Sequence, residues 1–257
     1  MRRLSLSILL IASFLLCLPA VASAQEEEKK TRFVYATYFE CDPSKQDRVD
    51  ETIKYASAPA YDEAVEDGTI TSWGWLAHHT GGKWRRLFYY SAPSLDALMD
   101  APAAITPKIK KAHPSASQVL GEVCNSHEDY IWQVATGSQG AGFIAQDRGK
   151  VGMSVYFYCD MSKEDRADEI VEEVFAPIYN SHVEKGSISS WGWLKHYVGG
   201  KWRRAATFTA PDVKSLLAGR NAIFAEVNEK AEAASDEFGG ICGSHQDYIW
   251  NIVHETP

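Results

Sequence analysis

Ser72-Trp73-Gly74-Trp75-Leu76-Ala77-His78-His79-Thr80-Gly81-Gly82-Lys83-Trp84-Arg85-Arg86 returns 118 residues later as Ser190-Trp191-Gly192-Trp193-Leu194-Lys195-His196-Tyr197-Val198-Gly199-Gly200-Lys201-Trp202-Arg203-Arg204. Each stretch reads as a β-hairpin. Gly-Gly supplies two positive-φ positions for a tight turn, and aromatic-rich alternating runs flank it. The repetition extends outward. Residues 38–134 align with 156–252 without a gap, at 44 identities in 97 positions, and all eight tryptophans fall on matched places. The chain is a duplication, with one copy over residues 33–135 and the other over 151–257.

The 257 residues suffice for one large domain or two small ones, and 45% hydrophobic with 23% charged content excludes a disordered chain. Arg2 and Arg3, an apolar run from Leu4 to about Leu18 and Ala22-Ser23-Ala24 read as a secretory signal peptide over residues 1–24. A polar linker, 25–32, follows, which argues against a stable membrane anchor. Lipidation would use Cys17, but Leu16 is the wrong size for that cleavage. Loss of the signal takes the formal charge from −8 to −10. So acidic a protein repels phosphate backbones and anionic membrane surfaces, so nucleic acid is not an expected partner. The expected location is secreted or periplasmic.

Within each copy, an aromatic and β-branched strand (34–41, 152–159) leads into a helix that Asp42 or Ser44 can cap. Pro59 and Pro177 predict a break or kink in this helix, and Gly68 and Gly186 suit its C-terminal cap. The hairpin comes next. A second helical region follows (about 94–112 and 212–234), interrupted in the first copy by Pro102 and Pro107. A last strand, 126–134 or 244–252, ends the unit. The order is β-α-β-β-α-β, twice, joined by a Gly/Ser-rich linker over 136–150. Such a unit forms a four-stranded antiparallel sheet with its helices on one face. Two units in tandem can cover each other's bare faces, and curved sheets can close into a barrel.

This tandem unit resembles the dimeric α+β barrel superfamily in its fused, pseudo-dimeric form, over about residues 33–254. The superfamily includes cofactor-free monooxygenases of antibiotic biosynthesis, haem-degrading enzymes, chlorite dismutases and dye-decolourising peroxidases. The fold class implied is α+β, two ferredoxin-like repeats packed as one barrel. The resemblance is one of topology. Neither Trp-Gly-Trp-Leu nor Gly-Gly-Lys-Trp-Arg-Arg matches a catalytic motif of a named member, so no catalytic residue carries over.

In the ferredoxin-like order the first and last strands are antiparallel neighbours. That order implies the disulfides Cys41–Cys124 and Cys159–Cys242, and an even cysteine number suits an exported chain. A metal site is the competing reading, because Cys124-x-x-His127 and Cys242-x-x-His245 each bring a thiol near an imidazole. Residues three apart on a strand point to opposite faces, which favours the disulfides.

Strand alternation sorts the rest. With Gly81-Gly82 as the turn, His78 opposes Arg85 and Trp75 opposes Phe88. Trp73, Trp75, Trp84, Phe88 and Tyr90 share a face expected under the helices. Ser72, Gly74, Leu76, His78, Arg85 and Leu87 share the face expected toward the interior. Parity counted through Cys41 and Cys124 adds Tyr38, His127, Asp129 and Ile131. The candidate ligand-binding set is Tyr38, His78, Arg85, His127 and Asp129, with Tyr156, His196, Arg203, His245 and Asp247 from the second copy. Arginine would hold a carboxylate, and histidine would move a proton near neutral pH. The plainer reading is an internal polar network in which Asp129 and Asp247 neutralise Arg85 and Arg203.

No nucleotide-binding, hydrolase-elbow or zinc-protease motif occurs. The first expectation is an exported protein that binds a small molecule between its repeats. The second is an enzyme of the same fold, a cofactor-free oxygenase or a haem protein with His78, His127, His196 or His245 as axial ligand. The third is an envelope or stress protein acting through a surface partner.

Overall fold

The computed structural model describes residues 31–138 and 148–256. The signal segment, nearly all of the first linker and positions 139–147 of the second lie outside the described residues. The first repeat comprises β1 (Arg32–Glu40), α1 (Gln46–Thr52), a π-helical turn (Ile53–Ser57), α2 (Ala58–Glu66), β2 (Ser72–Thr80), β3 (Arg86–Ala92), α3 (Leu95–Ala112), α4 (Ala116–Val123) and β4 (Ser126–Gly137). The second comprises β5 (Val151–Tyr158), a 3₁₀ turn (Met161–Lys163), α5 (Glu164–Glu169), a π turn (Ile170–Phe175), α6 (Ala176–Glu184), β6 (Ser190–Val198), β7 (Arg204–Ala210), α7 (Val213–Lys230), α8 (Glu232–Ile241) and β8 (Ser244–Thr256). The eight strands close an antiparallel barrel in the order β1-β3-β2-β8-β5-β7-β6-β4. The repeats meet at β2–β8 and β4–β6, both bulged.

The prolines act differently from expectation. The first helix of each repeat does not break at Pro59 or Pro177. A π turn ends two residues earlier, at Ser57 and Phe175. Its wider ring takes up the clash between the proline and the preceding turn. α3 also continues through Pro102 and Pro107. Pro102 cannot donate to the Leu98 carbonyl, and the Tyr90 hydroxyl donates to it instead, at 3.2 Å. α4 and α8 are additional short helices. Gly68 and Gly186 end their helices with φ of 78° and 70°, as expected. Asp42 does not cap α1 directly; its carboxylate accepts from the Ser44 N–H at 2.9 Å in the turn before it.

Both disulfides are present, Cys41–Cys124 and Cys159–Cys242, which removes the thiol metal site. Among the described residues no cluster of three or more His, Cys, Asp or Glu could hold a metal ion. No described helix is long and apolar enough to cross a membrane.

Three cores result. Two lie between sheet and helices, one per repeat, holding Trp73, Trp75 and Tyr90 in the first and Trp191, Trp193 and Phe208 in the second. The third fills the barrel interior with Tyr38, Trp84, Tyr130, Trp132, Tyr156, Trp202, Tyr248 and Trp250.

Candidate functional site

The hairpin register is the one expected, with Trp75 opposite Phe88 and Leu76 opposite Leu87. Trp73 and Trp75 pack under the helices, where their indole N–H groups donate to Asp62 at 2.8 Å and Asp50 at 2.7 Å. Trp84 does not join them. The β2–β3 ladder ends at Ala77–Arg86, and beyond it Trp84 turns into the barrel, stacking on Tyr38 at 4.2 Å and Tyr248 at 5.0 Å. The Gly-Gly turn permits this by close approach. A Cβ on Gly81 would lie 2.6 Å from the Asp247 carbonyl oxygen, and one on Gly82 2.4 Å from the Tyr248 hydroxyl. Only the first glycine of each turn has positive φ, 134° at Gly81 and 145° at Gly199. Each hairpin tip thus folds over the last strand of the other repeat. Together Trp84, Trp202 and four tyrosines close that end of the barrel.

His78 and Arg85 lie at this closed end, with the His78 ring 6.3 Å from those of Tyr248 and Trp250, and line none of the cavities described below. The Arg85 guanidinium donates to His78 Nδ1, and Arg203 donates to His196 Nδ1 at 2.9 Å. Burial, and then the neighbouring guanidinium, hold both imidazoles below the usual histidine range. The sign follows. The unfolded histidine titrates near 6.5 and binds protons that the folded one refuses. Stability from these two groups is therefore full above about pH 6.5 and is lost as pH falls through the lower folded values. The melting temperature should drop between pH 7.5 and 5, and drop less in the His78→Gln/His196→Gln double variant. Equal drops would show that other groups carry the acid sensitivity.

Asp129 and Asp247 are not the arginines' partners. Arg203 pairs with Glu164 at 2.6 Å, and the adjacent Arg86 and Arg204 hold Asp50 and Asp168 under the helices. Glu164 has Gln46 as its counterpart in the first repeat, so Arg85 has no equivalent carboxylate.

The last strands differ from expectation in parity. Tyr130 and Trp132 point into the barrel, and His127, Asp129 and Ile131 point toward the helices, as do His245 and Asp247. His127 sits opposite Phe39, against its ring at 5.7 Å, and Ile131 belongs to the helix-side core. The count from Cys124 failed because Cys124 caps α4 and the strand starts only at Ser126. The Cys124–Asn125 segment is not extended strand, so the two-residue period does not run through it.

Two spaces remain. One is the interior cavity toward the other end of the barrel, about 150 Å³. Of the ten expected residues only Tyr38 and Tyr156 line it; Val34, Leu76, Leu87, Trp132, Leu194 and Trp250 join them, with hydroxyls of Ser72, Ser91, Ser154, Ser190, Thr207 and Thr209. Its mouth carries Arg32, Tyr89, Arg148 and Glu255. The other space lies between sheet and helices of the second repeat, about 390 Å³. Phe157, Phe175, Tyr179, Trp193, Phe208 and Phe238 form its apolar wall, and Arg220, Asn228, His245 and Asp247 its polar groups. His245 Nδ1 is 2.7 Å from Asp247 Oδ1. The Arg220 Nε is buried without an acceptor, and the guanidinium lies 4.3 Å over the Phe224 ring. The matching space of the first repeat is about 190 Å³. Phe88 there occupies the place of Ala206, and Pro102 and Thr106 the places of Arg220 and Phe224. The sequence carried this signal, because these are mismatches between otherwise similar copies.

The fold and these cavities define the class: a fused, pseudo-dimeric α+β barrel. No protein-family model and no curated protein sequence matches the chain. Solved structures do. An anthrone oxidase-like protein is similar at 17% identity over 89% of this chain and 94% of that one, with a TM-score of 0.57. A protein of Lactobacillus acidophilus NCFM, titled "putative monooxygenase", aligns over 88% of this chain and 96% of its own at 6% identity and TM-score 0.63. A mutant chlorite dismutase from Candidatus Nitrospira defluvii aligns over 90% and 92% at 10% identity and TM-score 0.50. At these identities the likeness establishes the dimeric α+β barrel fold.

Proposed function

We propose that the protein binds an aromatic or polycyclic small molecule in the helix-side pocket of its second repeat, and that it does so outside the cytoplasm. The observation that carries the first part is the inequality of the repeats. Ala206 in place of Phe88 opens a space of about 390 Å³, within the range of small-molecule sites. Eight aromatic side chains line it, and the orphaned Arg220 N–H would take an anionic or carbonyl oxygen of the ligand. The two disulfides and the signal-like N-terminal sequence support an exported location. The interior cavity, the first expectation from sequence, is the smaller of the two spaces and lacks the expected histidines.

A second reading is favoured by the His245–Asp247 pair. With Nδ1 donating to Asp247, Nε2 would be free to accept at the pocket wall. Such a histidine would take a proton from an acidic phenol or enol, the activation that a cofactor-free oxygenase needs. The oxidase- and monooxygenase-titled structures of the same fold accord with this reading. Haem is the other group that Nε2 of His245 would hold. His78, His127 and His196 line no described cavity, so none of the three fits that role.

Ala206→Phe tests the pocket. The phenyl group is the one the first repeat already carries, so the melting temperature should stay close to that of the parent. Binding of 8-anilinonaphthalene-1-sulfonate, an anionic aromatic probe, followed by fluorescence, should weaken at least tenfold. Unchanged binding would place the ligand elsewhere. A Soret band in the purified parent protein would favour haem; His245→Ala would then remove it.

A further inference from the structure

The mouth of the interior cavity is built from breaks in the repeat. Tyr89, Arg32 and Glu255 have Thr207, Lys150 and Gly137 as their counterparts, and Arg148 comes from just before β5. Gly74 stands between Tyr89 and Glu255 in the strand ladder. A Cβ there would lie 2.5 Å from the Tyr89 ring, so glycine lets that ring cross β2. The Tyr89 hydroxyl then donates to Glu255, and Arg148 Nη1 donates to the same carboxylate at 2.7 Å and to the hydroxyl at 3.3 Å. Glu255 is thereby taken up by Arg148 and Tyr89.

Arg32 is left over. Its Nε and Nη1 are buried and have no acceptor among the described residues. Its charge is opposed by burial first and by Arg148 second, which together lower its pKa. The mouth holds two guanidiniums against one carboxylate. A buried cation without a partner is costly, and an anion arriving from solvent would remove that cost. Behind Arg32 the wall carries Val34, Leu76, Leu87, Trp132 and Trp250, and among its hydroxyls Ser72 pairs with Ser91 and Ser190 with Thr209. A cavity near 150 Å³ is large enough for a benzene-sized body.

We propose that this mouth is a second ligand site, independent of the helix-side pocket, for a small monocarboxylic acid. The carboxylate accepts from Arg32, and the apolar body enters between Trp132 and Trp250. One excess positive charge suits a monoanion, and the apolar walls distinguish the ligand from a bare inorganic anion.

Benzoate is the probe, measured by calorimetry on the mature chain with intact disulfides. Millimolar or tighter binding is expected, at least tenfold tighter than either benzyl alcohol, which lacks the charge, or acetate, which lacks the ring. Arg32→Met should weaken benzoate at least tenfold, and Ala206→Phe should leave it unchanged. Loss of binding in Ala206→Phe with retention in Arg32→Met would place benzoate in the helix-side pocket and overturn the proposal. Equal affinity for benzoate and benzyl alcohol, or no benzoate binding, would overturn it on the parent protein alone, even if Arg32→Met does not fold. Loss of 8-anilinonaphthalene-1-sulfonate binding in Ala206→Phe reports on the helix-side pocket separately.

Discussion

Replacing Asp168 with alanine is expected to cost about 3–5 kcal/mol of unfolding free energy. Its carboxylate is 5% exposed and the Arg204 guanidinium opposite is 4% exposed. Arg204 Nε reaches Oδ1 at 2.7 Å and Nη2 reaches Oδ2 at 2.8 Å. The Trp193 indole donates to Oδ1 at 2.7 Å, and Lys195 Nζ lies 3.0 Å from Oδ2. Alanine would orphan the Trp193 indole and two of the Arg204 donors, and would leave that buried guanidinium only Glu164, at 3.0 Å and shared with Arg203. The pair itself need not be a large net stabiliser, because desolvation offsets much of its attraction; breaking one half is what costs. The duplication supplies an internal control. Asp50 makes the matching contacts to Arg86 and Trp75 but is 21% exposed, and Ala77 stands where Lys195 does. Asp50→Ala should therefore cost less, since water reaches the place of the lost carboxylate more readily, although Arg86 itself is as buried as Arg204. Urea midpoints at unchanged m-value measure both. A smaller loss for Asp168 than for Asp50 would refute the role of burial.

Removing the disulfides is the second large effect. Each joins residues 83 apart, tying the end of β1 or β5 to the C-terminus of α4 or α8. For a loop that long the chain-entropy relation gives about 4–5 kcal/mol, and loss of a native bridge ordinarily costs about 2–5 kcal/mol. Cys159→Ser/Cys242→Ser should fall in that range by denaturant titration. The quadruple serine variant, with both loops open, should fail to accumulate as folded protein at 37 °C. If the double variant unfolds at the parent's midpoint, the unfolded chain is not being held by the bridge. Expression in a reducing compartment should reproduce the quadruple variant's behaviour, which ties the fold to an oxidising destination.

Much of the scaffold was legible because its signals are local or repeated. The Gly-Gly turn set the hairpin register, and the register held from Trp75–Phe88 to Leu76–Leu87. The pairing of Cys41 with Cys124 followed from strand order. The candidate site was less legible. His78 and Arg85 were expected at the cavity wall, yet they line neither cavity. His127 and Asp129 were put on the wrong face by a count that crossed Cys124–Asn125. Trp84 was assigned by alternation to a ladder that had already ended. Pro102 was read as a helix stop because its rescue, the Tyr90 hydroxyl on Leu98, comes from a strand twelve residues upstream. The groups that now define the two cavities, Ala206, Arg220, Arg32 and Glu255, stood in the sequence as mismatches between copies. A comparison that values identity passes over them.

The amino-acid sequence by itself determined the duplication, the order of strands and helices, the hairpin register and the bridges. These depend on backbone periodicity and on residues matched across copies, quantities that neighbours along the chain settle. Tertiary structure alone decided which face the last strands present, that the indoles of Trp84 and Trp202 close one end of the barrel, and how much room is left between distant strands. A cavity is the volume that side chains from many elements fail to fill, and one methyl group in place of a phenyl, contributed by Ala206, changes it without altering any local pattern.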